Sequence, residues 1–146
     1  MGDLKLGLTT QQYPDLYLGV TSGPGKEKFN YALTGPTKSV TGTSWIMRQL
    51  AGKVHLLIKD GGSASGQVIT FRGEREYLTL QPYQEGNIQQ HIVVTPLGDT
   101  GAIVVLNNHD ESNVMDRSMY DKDAGWVIAF PWNRGDNQIW KMHFYS

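Results

Sequence analysis

The sequence contains no cysteine. Disulfides, thiolate metal sites and cysteine nucleophiles are therefore excluded. Small secreted domains commonly lean on bridges, so their absence favours a cytosolic residence. Charge of one sign is also scarce: 13 Lys and Arg stand against 14 Asp and Glu, for a net charge of -1. The basic residues are scattered. Neither nucleic acid nor an anionic membrane surface suits such a balance, since both call for clustered cations. Long apolar runs are missing, and none approaches the ~20 residues of a membrane span, so no membrane insertion is expected. The opening Met1-Gly2-Asp3-Leu4-Lys5-Leu6 has no basic stretch followed by an apolar one, so no signal peptide is expected. Helical patterning is absent too: no stretch of about 11 residues places apolar side chains at i, i+3, i+4 and i+7.

What is present reads as short strands. Hydrophobic residues make up 39% of the 146, enough for the core of one ordinary domain. Seventeen glycines and six prolines cut the chain into pieces. Between them lie Leu16-Tyr17-Leu18-Gly19-Val20, Val54-His55-Leu56-Leu57-Ile58, Val68-Ile69-Thr70-Phe71, Ala102-Ile103-Val104-Val105-Leu106 and Trp126-Val127-Ile128-Ala129-Phe130. Each is rich in β-branched or aromatic residues and bounded by turn residues. About twelve such segments predict an all-β chain.

The segments repeat. Proline recurs at Pro36, Pro82 and Pro131, spaced by 46 and 49 residues. Seven residues after each proline stand Thr43, Gln89 and Gln138; nine after it stand Trp45, His91 and Trp140. Three repeats of about 48 residues, near 1–52, 53–100 and 101–146, would each hold four strands. Three units are too few for a propeller, which needs about four or more blades. Three lobes that cannot bury their apolar faces alone, closing around one shared core, make a β-trefoil. Proline removes a backbone donor and fixes φ, which suits a strand end before a loop.

The last repeat ends Asn137-Gln138-Ile139-Trp140, and Gln-x-Trp at the close of a repeat of this length resembles the ricin B-type lectin family. The length, the missing cysteine and the missing signal resemble its small cytosolic fungal members. The motif is full only in the third repeat. The resemblance implies a β-trefoil that binds glycans without catalysis, commonly of galactose or N-acetylgalactosamine type. The motif tryptophans Trp45 and Trp140 would be core residues, and the Gln138 amide would tie strand to loop.

A sugar site of this kind needs a carboxylate to accept from two hydroxyls, an amide, and an aromatic face for the apolar side of the ring. The resemblance places these on Asp116, Asn137 and Phe130, with Trp132, Gly135 and Gln138 beside them. Gly135 would let the loop turn tightly. The Asp116 carboxylate is expected to be reachable from solvent. Threading puts Thr70 and Ile88 at the Asp116 and Asn137 places in the second repeat, and Gly19 and Gly42 in the first, so one site is expected. Trp132 and Tyr83, which follow the prolines, read as exposed loop aromatics.

Other constellations read as framework. His109-Asp110-Glu111 is a turn, and Asp121-Lys122-Asp123-Ala124-Gly125 is a solvated hairpin rather than a calcium loop. His55, His91 and His143 are isolated at strand positions, with His91 half-buried in place of a tryptophan. No metal or cofactor is expected. The alternative to a lectin is a β-trefoil protease inhibitor or other loop-mediated protein binder, working through residues 21–28 or 60–67. No nucleophile with a base, and no paired carboxylates, supports an enzyme. A lectin with one site per chain gains avidity by dimerising, so a homodimer fits.

Overall fold

A computed structural model describes residues 3–22, 29–35, 43–99, 101–106, 112–119 and 125–145. These residues form twelve strands. The first repeat holds β1 (Leu4–Thr10), β2 (Tyr17–Ser22), β3 (Asn30–Gly35) and β4 (Trp45–Ala51). The second holds β5 (Val54–Lys59), β6 (Val68–Thr70), β7 (Thr79–Gln81) and β8 (Ile92–Leu97). The third holds β9 (Gly101–Leu106), β10 (Asn113–Arg117), β11 (Val127–Pro131) and β12 (Trp140–Phe144). Single 3₁₀ turns, Ile88–Gln90 and Asp136–Gln138, precede β8 and β12. No helix among the described residues is long and apolar enough to cross a membrane.

Six strands close on themselves. β1 pairs with β4, β4 with β5, β5 with β8, β8 with β9, β9 with β12 and β12 with β1, all antiparallel. The barrel has no free edge, which removes the aggregation hazard that an unpaired strand carries. The remaining strands form the hairpins β2–β3, β6–β7 and β10–β11. The hairpins meet through Tyr31↔Thr79, Leu33↔Trp126 and Tyr77↔Ile128. Each pairing is the previous one rotated by one repeat. The equivalent rings Tyr31, Tyr77 and Trp126 therefore converge, with centroids 5.7, 5.9 and 5.4 Å apart. This is the β-trefoil the repeats imply.

The core follows the same symmetry. Leu8, Leu57 and Val104 enter it from the barrel, and Leu18, Ile69 and Met115 from the hairpins. Trp45 and Trp140 are fully buried. The Trp45 indole N–H donates to Leu18 O, and that of Trp140 to Met115 O, both at 3.0 Å. An indole buried this way keeps its one polar atom satisfied.

The second repeat departs from its sequence alignment by one residue. The buried residue at the tryptophan position is Ile92, while His91 is only half-buried. The buried amide is Gln90, not Gln89. Gln90 receives the Gln84 N–H and donates to Pro82 O, as Gln138 receives the Asn133 N–H and donates to Pro131 O. The turn between Pro82 and Gln90 holds one residue more than its counterpart, with Gly86 left-handed at φ 81°. Two adjacent glutamines hid the slip. The same shift puts Gln89, not Ile88, at the Asn137 place.

The register has a measurable consequence. Trp140→Ala is expected to cost roughly 3–5 kcal/mol in urea unfolding and Ile92→Ala roughly 2–5 kcal/mol, as for other large core truncations. His91→Ala should stay within about 0.5 kcal/mol, as an ordinary surface change does. A His91→Ala cost equal to that of Ile92→Ala would show that the glutamine pairing above is misassigned.

Candidate functional site

Successive side chains of a strand point to opposite faces. In β10, Met115 enters the core, so Asp116 points away from it, under the 3₁₀ turn that precedes β12. The turn closes over it. Gln138 Nε2 donates to Asp116 Oδ2 at 2.8 Å and to Pro131 O at 2.9 Å. Asn137 Nδ2 donates to Asp116 Oδ1 at 3.0 Å and to Arg117 O at 2.9 Å. Both amide groups thus spend their two hydrogens on the strand pair below, and each carboxylate oxygen keeps a further lone pair.

Asp116 is only 4% exposed. This corrects the expectation of a solvent-reachable carboxylate: it faces a cavity, and the turn covers the rest. Burial pushes its pKa up to about 6, and the hydrogen bonds from Gln138 and Asn137 hold it from rising further. Among the described residues no cation is ion-paired with it.

The cavity measures about 480 Å³ and is lined by Asp116, Met119, Ile128, Phe130, Asn133, Gly135 and Asn137. That size is within the range of small-ligand sites. Phe130 gives it an aromatic wall, and the Arg75 guanidinium of the second repeat lies over that ring, 5.1 Å from its centroid. Gly135 is extended, at φ -73° and ψ 148°, so it is not there for a left-handed turn. That conformation falls to Arg134, at φ 66°. Gly135 is there for room: an added Cβ would collide with Asn137 Oδ1 and lie 3.0 Å from Asn133 Oδ1.

Four of the six expected residues, Asp116, Phe130, Gly135 and Asn137, therefore line one cavity. Gln138 is fully buried and acts from behind it, as the tie between strand and turn. Trp132 does not reach it. Half-buried, it packs against Ile103, Val105 and Val114 instead of standing free, while Tyr83 is exposed. Sequence reasoning missed Ile128, Asn133, Met119 and Arg75. Ile128 was findable, since it shares a strand face with Phe130. Arg75 was not, because it comes from another repeat.

The equivalent places elsewhere lack the charge. In the second repeat Thr70 Oγ1 receives Gln90 Nε2 at 3.2 Å and donates to Val68 O at 2.9 Å. In the first repeat Gly19 has no side chain, and Gly42 lies outside the described residues. So do His109-Asp110-Glu111, Asp121 to Ala124 and the loop 23–28. The loop 60–67 is compact, its start folded onto Lys59 Nζ, which donates to Ser44 O, Asp60 O and Gly61 O. His143 Nε2 is 2.9 Å from Thr9 Oγ1, and His55 Nδ1 is 3.0 Å from Lys53 O. Among the described residues no three His, Cys, Asp or Glu gather as metal ligands.

No protein-family model and no curated protein matches the chain. Solved structures do. The designed threefold-symmetric protein ThreeFoil matches with TM-score 0.77 at 17% identity, over 95% of this chain and 97% of its own. The Polyporus squamosus lectin, bound to a sialylated human-type influenza-binding epitope, matches with TM-score 0.71 at 9% identity, over 97% of this chain and 49% of its own. An exo-β-1,3-galactanase from Clostridium thermocellum matches with TM-score 0.75 at 15% identity, over 97% of this chain and 30% of its own. At such identities the likeness is one of fold, and the fold of this chain is the β-trefoil.

Proposed function

We propose that the chain is a non-catalytic, carbohydrate-binding lectin whose third repeat holds the sugar in the Asp116 cavity. The observation that carries this reading is the contrast between Asp116 and Thr70. Both serve the same glutamine clamp, and Thr70 does so without charge. The fold thus has a neutral solution at this position. A carboxylate there, desolvated enough to titrate near pH 6, is a cost that the clamp does not require. Its spare lone pairs suit two adjacent sugar hydroxyls, as charge-assisted bonds. Phe130 supplies a wall for the apolar side of a pyranose, and Asn133 and Asn137 supply amides. The finer reading, a galactose or N-acetylgalactosamine type of glycan, is supported by the ricin B-type resemblance of the third repeat. A homodimer would raise avidity for multivalent glycans, and cytosolic residence suits the missing cysteine.

Asp116→Thr copies the second repeat and so keeps an acceptor for Gln138. It is expected to fold, with a thermal melt close to wild type, and to weaken glycan binding about tenfold or more, since each charge-assisted bond is worth roughly 1.5–3 kcal/mol. Asn137→Ala should lose less. A glycan panel followed by calorimetric titration checks both, beside a protease-inhibition panel for the alternative reading. Full binding by Asp116→Thr would remove the cavity from consideration.

Binding should also depend on pH. Hydroxyl donors favour the ionised carboxylate, so affinity is full above the pKa of about 6 and falls below it, by about tenfold at pH 5 relative to pH 7. Folding responds in the opposite direction. A carboxyl whose folded pKa is raised contributes its stability fully below its unfolded pKa of about 4, and loses that contribution as pH rises through about 6. Acid loss of binding therefore occurs without loss of this group's share of stability. Titration at pH 5, 6 and 7 with melts at each pH separates the two, and pH-independent binding would mean that the carboxylate does not touch the ligand.

A further inference from the structure

The rim of the cavity is braced by the first repeat. The connection between β1 and β2 runs beside the turn that covers Asp116. Gln11 N–H donates to Ile139 O at 2.8 Å, and Gln12 N–H to Asp136 O at 3.2 Å. Gln11 Nε2 donates to Asp136 Oδ1 at 3.0 Å, and Gln12 Nε2 reaches Met119 Sδ at 3.0 Å. Met119 lines the cavity while 64% exposed, so it forms part of the mouth.

Tyr13 comes next in this connection. The residue is 44% exposed. The guanidinium of Arg117, the residue after Asp116, lies over one face of the Tyr13 ring, 4.4 Å from the centroid. That guanidinium is itself pinned, its Nε donating to Thr34 Oγ1 at 2.8 Å. Arg117 O is held by Asn137, which lines the cavity. One face of the ring is thus backed by a fixed cation, and its chain neighbour Gln12 links that guanidinium, at 3.5 Å from Gln12 Oε1, to Met119 at the mouth. The exposed carboxylate of Asp136 and the amide of Gln12 lie alongside.

We infer that Tyr13 is a second sugar subsite, and that the ligand is an oligosaccharide of at least two units, with one unit in the Asp116 cavity and the next stacked on the face of Tyr13 opposite Arg117. The inference rests on the lectin reading of the cavity. A held aromatic ring gives contact area at little entropy cost, because it does not need to be immobilised on binding. The face of an aromatic ring is apolar and carries negative π density, which suits the C–H side of a pyranose. Covering the stem of Arg117 is the simpler role for Tyr13. That role would make no distinction between a short and a long ligand.

The test is a split between ligand lengths. Methyl galactoside and methyl N-acetylgalactosaminide probe the cavity alone. Lactose and the galactose-terminated oligosaccharides of a glycan panel probe the cavity with Tyr13. Wild type is expected to bind the best oligosaccharide about five- to tenfold more tightly than its monosaccharide. Tyr13→Ala should erase that gain and leave monosaccharide affinity unchanged, Tyr13→Phe should keep it, and Asp116→Thr should weaken both ligands. A gain that survives Tyr13→Ala, no gain in wild type, or equal losses for both ligand lengths would overturn the subsite while the cavity reading stands on the monosaccharide. Wild type that binds neither ligand length would overturn the lectin reading and the subsite with it.

Discussion

The side-chain amide of Gln138 is the fixed point of the third repeat. It donates to a strand carbonyl at Pro131 and to the Asp116 carboxylate, and it accepts the backbone N–H of Asn133. One side chain thereby fastens β10, the end of β11 and the turn before β12. The Gln138 side chain is fully buried, where an unmade hydrogen bond costs about 1–3 kcal/mol, so the three elements are strongly held to this one arrangement. Gln90 fastens the second repeat in the same way, through Pro82 O, Gln84 N–H and Thr70 Oγ1. The clamp tolerates a carboxylate or a hydroxyl as its partner. That tolerance separates the scaffold from the chemistry, since the position under the glutamine varies without loss of the turn above it.

Asp116 is the place where the two part company. A carboxylate held by two neutral amides, with no ion-paired cation among the described residues, is a poor way to stabilise a protein. Its pKa is raised because desolvation outweighs both amide bonds. What the arrangement does provide is orientation. The amides fix both oxygens, so their remaining lone pairs have set directions before any ligand arrives, and a preorganised acceptor loses little entropy on binding. The adjacent Gly135 keeps the space above it open, since any larger residue there would run into Asn137 and Asn133.

Much of this was legible in the sequence because it is local or periodic. The strand pattern and the period follow from alternation and spacing, and the Trp140 core position from the Gln-x-Trp resemblance. The carboxylate and amide at 116 and 137 were marked by resemblance to a motif only a few residues long. What stayed hidden was of three kinds. In the second repeat, Gln89 and Gln90 offer the same chemistry, and only burial tells which amide is the clamp. The packing of Trp132 was hidden because a residue after a proline reads as loop, whereas three aliphatic side chains of β9 and β10 lie ready to cover it. The contacts of Gln11, Gln12, Tyr13 and Arg75 with the third repeat span long sequence separations, and no local pattern encodes them.

Those long contacts also decide how the site is coupled to the fold. Residue 11 meets residue 139 because β1 and β12 zip together, and that pairing is the seam between the first and last repeats. The lining of the cavity comes from the third repeat alone, but the bracing of its covering turn by Gln11 and Gln12 is completed only when the barrel is closed. Pairings of such high sequence separation are formed at a large entropy cost, which nothing local repays in advance. A ligand that binds the closed form alone adds its binding free energy to the seam itself, and through the seam to the shared core. Conversely, fraying of β12 from β1 would release the backbone bonds of Gln11 and Gln12 to the covering turn before it disturbed the glutamine clamp, because the clamp is contained within the third repeat. The mouth of the site is thus its less secure part and the carboxylate floor its more secure part. This ordering follows from which contacts cross the seam and which do not.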